Sequence, residues 1–241
     1  MIICGCKSDK GIKKSVNQDR IISCLHSQGY RQIFLGGIFD GVSALNDSEL
    51  VAEMLKNEYV GWFDKMKSWV DLSSMDFETM CCHVADVLDE TASEVYEKRK
   101  SKEISGASTA SVILATEAEY YILHVGDSKV FLLREGNVSQ LTEDQSMWGK
   151  VGDTYRMGLM NYIGRDIDCE FAGYSGKLNT GDMIIFGSDG FFNKLEYREM
   201  LELESEITEN SKVEQVLDKY IDLIKNKGET DNISVGICKL V

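Results

Sequence analysis

The sequence contains no proline, so no turn can rest on a fixed φ, and chain reversals must use glycine, asparagine and aspartate. Histidine is nearly as scarce: His26, His83 and His124 are too few and too dispersed for a zinc triad. His124 sits inside the strand-like run 120–125 and is expected to be a satisfied core residue. Seven cysteines are scattered along the chain (Cys4, Cys6, Cys24, Cys81, Cys82, Cys169 and Cys238), and no two have CxxC spacing, which argues against a zinc knuckle. Cys4-x-Cys6 and Cys81-Cys82 could be redox sites; buried thiols acting as small hydrophobes are the safer reading. No apolar run approaches the ~20 residues needed to cross a bilayer. Residues 1–7 lack the apolar stretch and cleavage site of a signal peptide. A cytoplasmic protein is expected.

Positive charge is also short. Against 40 acidic residues stand 26 lysines and arginines, a net charge of −14. Such a balance argues against nucleic acid or an anionic membrane as the main partner. It fits a protein that binds cations, although acidic composition also serves solubility. With 241 residues, 43% hydrophobic and 27% charged, the chain can bury a sizeable core. The expectation is one domain over 1–241, with a monomer as the default state.

Strand-like runs occupy 1–4, 20–25 and 31–40. Apolar residues at helical spacing (Leu50, Val51, Met54, Leu55, Val60, Trp62) then predict a helix over 42–66. A second helix is predicted over 75–100, with Met80, Val84, Val87, Leu88 and Val95 on one face, and Trp62 and Trp69 anchoring the pair. A meander follows at 109–116, 119–125, 129–134 and 137–141, separated by turns as in antiparallel hairpins. Residues 142–165 read as irregular or partly helical, a pattern typical of a functional flap. Strands return at 168–177 and 182–187, helices at 197–203 and 213–225, and a last strand at 232–240. This order predicts an α+β fold: two packed antiparallel sheets flanked by helical layers.

What is abundant is aspartate at strand ends. Asn17-Gln18-Asp19, Phe39-Asp40-Gly41, Ser188-Asp189-Gly190 and Asp231-Asn232 hold the pattern, and three of the four adjoin strands. Any one of them could be a simple turn, since Asp-Gly is a common turn pair. Several carboxylates converging without partners would share a cation, and hard oxygen ligands suit Mg²⁺ or Mn²⁺ better than Zn²⁺.

The strings NQD, FDG, SGAST, VGDS, LTEDQS, GDMIIFGSDG and TDN occur in an order that resembles the metal-dependent protein phosphatases of type 2C, in particular their bacterial branch. The resemblance runs from about Gly11 to Val235. It implies two sheets between helical layers, and hydrolysis of phosphoserine and phosphothreonine with two or three Mn²⁺ or Mg²⁺ ions. By the same resemblance Asp40 would bridge two metals, with Gly41 lending its carbonyl. Asp189 and Asp231 would complete one shell, Asp19 would sit at the same centre, and Asp127 would help hold a third ion. The implied partner is a phosphoprotein substrate of a cytoplasmic serine/threonine kinase. Ser108, Thr109 and Ser128 are expected to be structural, and Glu143 and Asp144 to satisfy backbone groups of the flap.

Three positions depart from the family pattern. Lys14 stands where an arginine would grip the substrate phosphate, keeping the charge but not the bidentate fork. Gln18 replaces a glutamate and removes a negative charge near the metals. Val42 stands where eukaryotic members carry a histidine acid, leaving leaving-group protonation to water or the metal site. These departures keep open a second function: a weak or silent relative that binds phosphoproteins or a regulatory partner. A phosphatase in a sporulation or stress switch, acting on an anti-sigma antagonist, would use the same chemistry.

Overall fold

The computed structural model describes residues 1–69, 76–151, 154–165 and 169–241, and the side chains of Trp69 and 150–157 lie outside that description. One five-stranded antiparallel sheet runs Ile2–Asp9 (β1), Ile233–Leu240 (β12), Met183–Gly187 (β11), Lys129–Arg134 (β6) and Asn137–Gln140 (β7) from edge to edge. The other runs Ala172–Lys177 (β10), Glu119–Val125 (β5), Ala110–Ala115 (β4), Arg31–Phe39 (β3) and Arg20–Gln28 (β2). Helices Ser48–Trp69 (α1) and Phe77–Lys100 (α2) cover the second sheet. Asp189–Phe192 (α3), Tyr197–Glu206 (α4) and Asn210–Asn226 (α5) cover the first. The layers are those the sequence predicts.

Period-two alternation explains why the central strands are apolar on both faces. In β3, Phe34 and Ile38 point between the sheets and meet Ile113, Ile184 and Phe186. Leu35 and Phe39 point the other way, onto Val51, Leu55 and Tyr59 of α1 and Val84 and Leu88 of α2. Fully burying each such side chain is worth roughly 1.5–3 kcal/mol. On the outer face of the first sheet, Val216, Leu217, Tyr220 and Ile221 of α5 cover Ile3, Val235 and Ile237. Among the described residues no helix is long and apolar enough to cross a membrane.

Residues 142–165 depart from expectation. They hold a β-hairpin, Ser146–Val151 (β8) paired with Thr154–Leu159 (β9), which joins neither five-stranded sheet. The first helix begins at Ser48 rather than at Val42, because the Ser48 hydroxyl bonds back to the Val42 carbonyl and holds 42–47 as a loop. Leu50 is exposed there instead of facing the core. The tenth strand starts at Ala172, and Asp168 of the predicted 168–177 lies outside the described residues. All seven cysteines are free, but only Cys238 is buried. Cys82 is exposed and the other five are half-buried. Trp62 packs against the helix–sheet core, while the expected anchor Trp69 falls outside the described side chains.

Candidate metal centre

One end of the sandwich gathers the aspartates. Asp40 follows β3, Asp127 follows the β5 turn, Asp189 opens α3, and Asp231 precedes β12. Together with Gly41 and Thr109 they line one cleft of about 480 Å³, walled by Val42, Leu45, Leu159 and Tyr162. Asp19 lies beneath it, 2% exposed.

Small polar side chains fix these positions. Thr109 Oγ1 receives the Asp40 amide at 3.1 Å, and the Thr109 amide donates to the Asp40 carbonyl at 2.8 Å. Ser108 Oγ donates to the same carbonyl at 3.1 Å, and Thr109 Oγ1 shares a 2.8 Å bond with Ser128 Oγ. Ser108 and Thr109 bond the Asp40 backbone and Ser128 supports Thr109, the structural part expected of all three. Asn232 ties the N-terminal loop down: its side-chain Nδ2 donates to the carbonyls of Lys10 and Val16, and its Oδ1 accepts the Gln18 backbone amide at 2.9 Å. Two glycines permit the close packing. A Cβ on Gly190 would lie 2.1 Å from the Asn232 carbonyl oxygen, and one on Gly41 would lie 2.8 Å from that of Gln18.

The carboxylates repel one another. Burial, then the charges of Asp19, Asp189, Asp127 and Asp231, pushes Asp40 well above the usual carboxylate range. Burial raises Asp19 to about 6, against a hydrogen bond from Ser234. Asp127 is also pushed up to about 6 by burial and then by Asp189 and Asp144. Asp189 is raised by burial and by Asp231. A cation is the remedy such a cluster calls for, because a shared charge would remove both penalties.

The donor set fits one. Every candidate ligand is a hard oxygen, which suits Mg²⁺ or Mn²⁺. Asp19 supplies a further sign: Oδ2 accepts from Ser234 Oγ at 2.7 Å, whereas its buried Oδ1 has no hydrogen-bond partner among the described residues. An orphaned carboxylate oxygen of this kind costs about 1–3 kcal/mol or more unless something else binds it. Among the described residues, no three His, Cys, Asp or Glu side chains already stand close enough together to chelate an ion. The aspartates ring the cleft without closing on its centre.

Lys14 reaches the same place. Its ammonium lies 2.9 Å from Asp231 Oδ1, so it faces the cluster from the rim. Gln18 Nε2 points to Glu49 at 3.4 Å. Val42 also lines the cleft. His124 is buried and held by Ser111 Oγ at 2.7 Å and by the carbonyls of Gly126 and Glu143, as a core histidine should be. Asp144 differs from expectation: it pairs with Lys129 and accepts from Gln140 rather than from backbone groups. The backbone work falls to Gln145, whose Oε1 accepts the Gly126 amide at 2.9 Å and Asn161 at 3.0 Å. Sequence reasoning also missed Glu229, buried, whose Oε1 accepts the amides of Thr230 and Asp231 and shapes that turn. Neither has a sequence signal beyond lying next to a motif.

Known proteins resemble the chain both in sequence and in fold. The model of the family described as protein phosphatase 2C matches residues 10–225. The chain is 23% identical over 245 residues to a putative protein phosphatase 2C-type of Streptococcus pyogenes, covering 96% of this chain and 94% of the relative. It is 21% identical over 250 residues to protein phosphatase PhpP of Streptococcus pneumoniae, covering 97% and 95%. The solved serine/threonine phosphatase of S. agalactiae superposes with a TM-score of 0.82 at 19% identity, over 100% of both chains.

Proposed function

The chain belongs to the protein phosphatase 2C family, and we propose that it is a metal-dependent phosphatase hydrolysing phosphoserine and phosphothreonine in proteins, with 1–241 acting as one domain. The observation that carries this reading is a cleft of mutually repelling carboxylates above a buried, unpartnered Asp19 oxygen. Two Mn²⁺ or Mg²⁺ ions there would supply an activated water and neutralise the phosphoryl oxygens.

The chain's own residues divide the remaining tasks. Asp40, Asp189 and Asp231 would hold the central ions, with Gly41 offering its carbonyl and Asp19 supporting from below, and Asp127 would serve a third ion. Lys14 holds its ammonium at the rim, beside Asp231, where an incoming phosphoryl dianion finds a positive charge. It supplies one point charge rather than a fork, so it attracts the phosphate more than it orients it. The Val42 side chain has no proton to give, so the leaving alkoxide takes its proton from solvent. The substrate is a phosphoprotein product of a cytoplasmic serine/threonine kinase, which the phosphatase opposes.

The test is phosphate release from a phosphothreonine peptide with Mn²⁺ and with EDTA, for the wild type and Asp189→Asn. Metal-dependent turnover that collapses in the variant supports the reading. The second reading, a silent phosphoprotein binder, draws on the Lys14–Asp231 ion pair, which occupies both groups in the absence of substrate. Metal binding by calorimetry without any turnover would select it.

A further inference from the structure

The carboxylate cleft is not a closed bowl. Through Ser43 and Leu45 it adjoins a depression of about 630 Å³ bordered by Lys14, Gln18 and Glu49. Through Asp47 and Ser105 that depression adjoins a third hollow, of about 620 Å³, at the C-terminal end of α2. The sill between the last two is a fixed latch: Ser105 donates from its amide and its hydroxyl to Asp47 Oδ2, at 3.1 and 2.9 Å.

The far hollow is cationic. Arg99, Lys100 and Lys102 line it, and its own acids are already engaged: Asp47 by Ser105, and Glu103 by Lys98 at 3.9 Å. Arg99 is turned inward, donating to the carbonyls of Ser105 and Gly106. Lys100 Nζ lies 5.8 Å from the Tyr96 ring centroid. Among the described residues neither Lys100 nor Lys102 has a carboxylate partner, whereas most other described lysines of this acidic chain do. Unpaired cations at the end of a groove that starts at the reacting centre are a means of choosing substrates.

We propose that this groove carries the substrate polypeptide away from its phosphorylated residue, and that Lys100 and Lys102 select segments with acidic side chains on that one side. The inference rests on the phosphatase reading above. Because the whole chain carries −14, it repels acidic peptides at long range, so a preference for them must arise locally, within a screening length of about 8 Å at physiological salt.

The experiment compares three phosphothreonine peptides carrying glutamate within about five residues on one side, on the other side, or on neither. Wild type and the double variant Lys100→Glu with Lys102→Glu are assayed on each, and wild type also on para-nitrophenyl phosphate. The expected result is a kcat/KM about fivefold higher for one of the two acidic peptides, a ratio that vanishes or inverts in the variant. Equal rates on all three, equal gains on both sides, or a ratio unchanged in the variant would overturn the proposal. Failure on para-nitrophenyl phosphate as well would instead sink the phosphatase reading. The groove is then judged by fluorescence anisotropy of the same labelled peptides: one-sided tighter binding lost in the variant supports it, and equal binding rejects it.

Discussion

Strand β11 meets a carboxylate at each of its ends, and the two are treated in opposite ways. Asp182, just before the strand, is 2% exposed and fully partnered: Arg134 holds it from Nε at 2.9 Å and Nη2 at 2.6 Å, and the Asn179 amide adds a third bond at 2.7 Å. Asp189, just past the strand, has no cationic partner among the described residues, and burial and Asp231 push its carboxyl up. The difference separates structure from function. A buried acid that the chain neutralises itself is part of the scaffold, while one left beside like charges is waiting for a charge from outside.

Substituting both acids identically is the strongest way to break that comparison. Asp189→Asn should lower metal-dependent phosphate release by on the order of 10³-fold, as expected when a main electrostatic contact of the transition state is lost. The same change in metal-free protein should raise the urea midpoint, since it relieves repulsion. Asp182→Asn should do the reverse. It weakens the charge-assisted bonds from Arg134 and should cost about 1–2 kcal/mol in urea unfolding, since the guanidinium left behind is partly solvated, while leaving kcat of the folded enzyme near wild type. If Asp189→Asn proved the more destabilising of the two, the contrast would not hold.

Acidity sharpens the contrast further. Asp19 and Asp127, each near 6 in the fold, lie above the ordinary aspartate value of about 3.9. Their contribution to stability is therefore complete below about pH 4 and is lost as pH rises through about 6. In metal-free protein the melting temperature should carry a component that falls across that window, measurable by calorimetry. Mn²⁺ should restore it at pH 7.5 and do little at pH 5, where protons hold the ligands. The smallest effect is at the rim: Lys14→Arg should lower KM for a phosphopeptide a few-fold, because a fork replaces a point charge. No change in KM would count against Lys14 as the phosphate grip.

How much of this was legible beforehand depends on whether the signal was local. The run 33–39 announced β3, because both of its faces are buried and every position had to be apolar or glycine. Asp40, Asp189 and Asp231 were legible because each stands beside such a run. The β8–β9 hairpin was not: the adjacent Met147 and Trp148 are both exposed, so they show none of the alternation that marks a half-buried strand. The four-residue α3 is too short to show a helical period. Most opaque were the pairings made across the fold, Lys14 with Asp231 and Arg134 with Asp182, which no spacing rule can reveal.

One pairing also governs when the cleft can exist. β12, the last strand in the sequence, lies between β1 and β11, and Asn232 at its mouth holds the loop that carries Lys14 and Gln18. A ribosome must therefore release nearly all of these residues before the aspartates can converge. A nascent chain that already has both helices of the first block but not β12 still lacks the end of the sandwich where the aspartates gather.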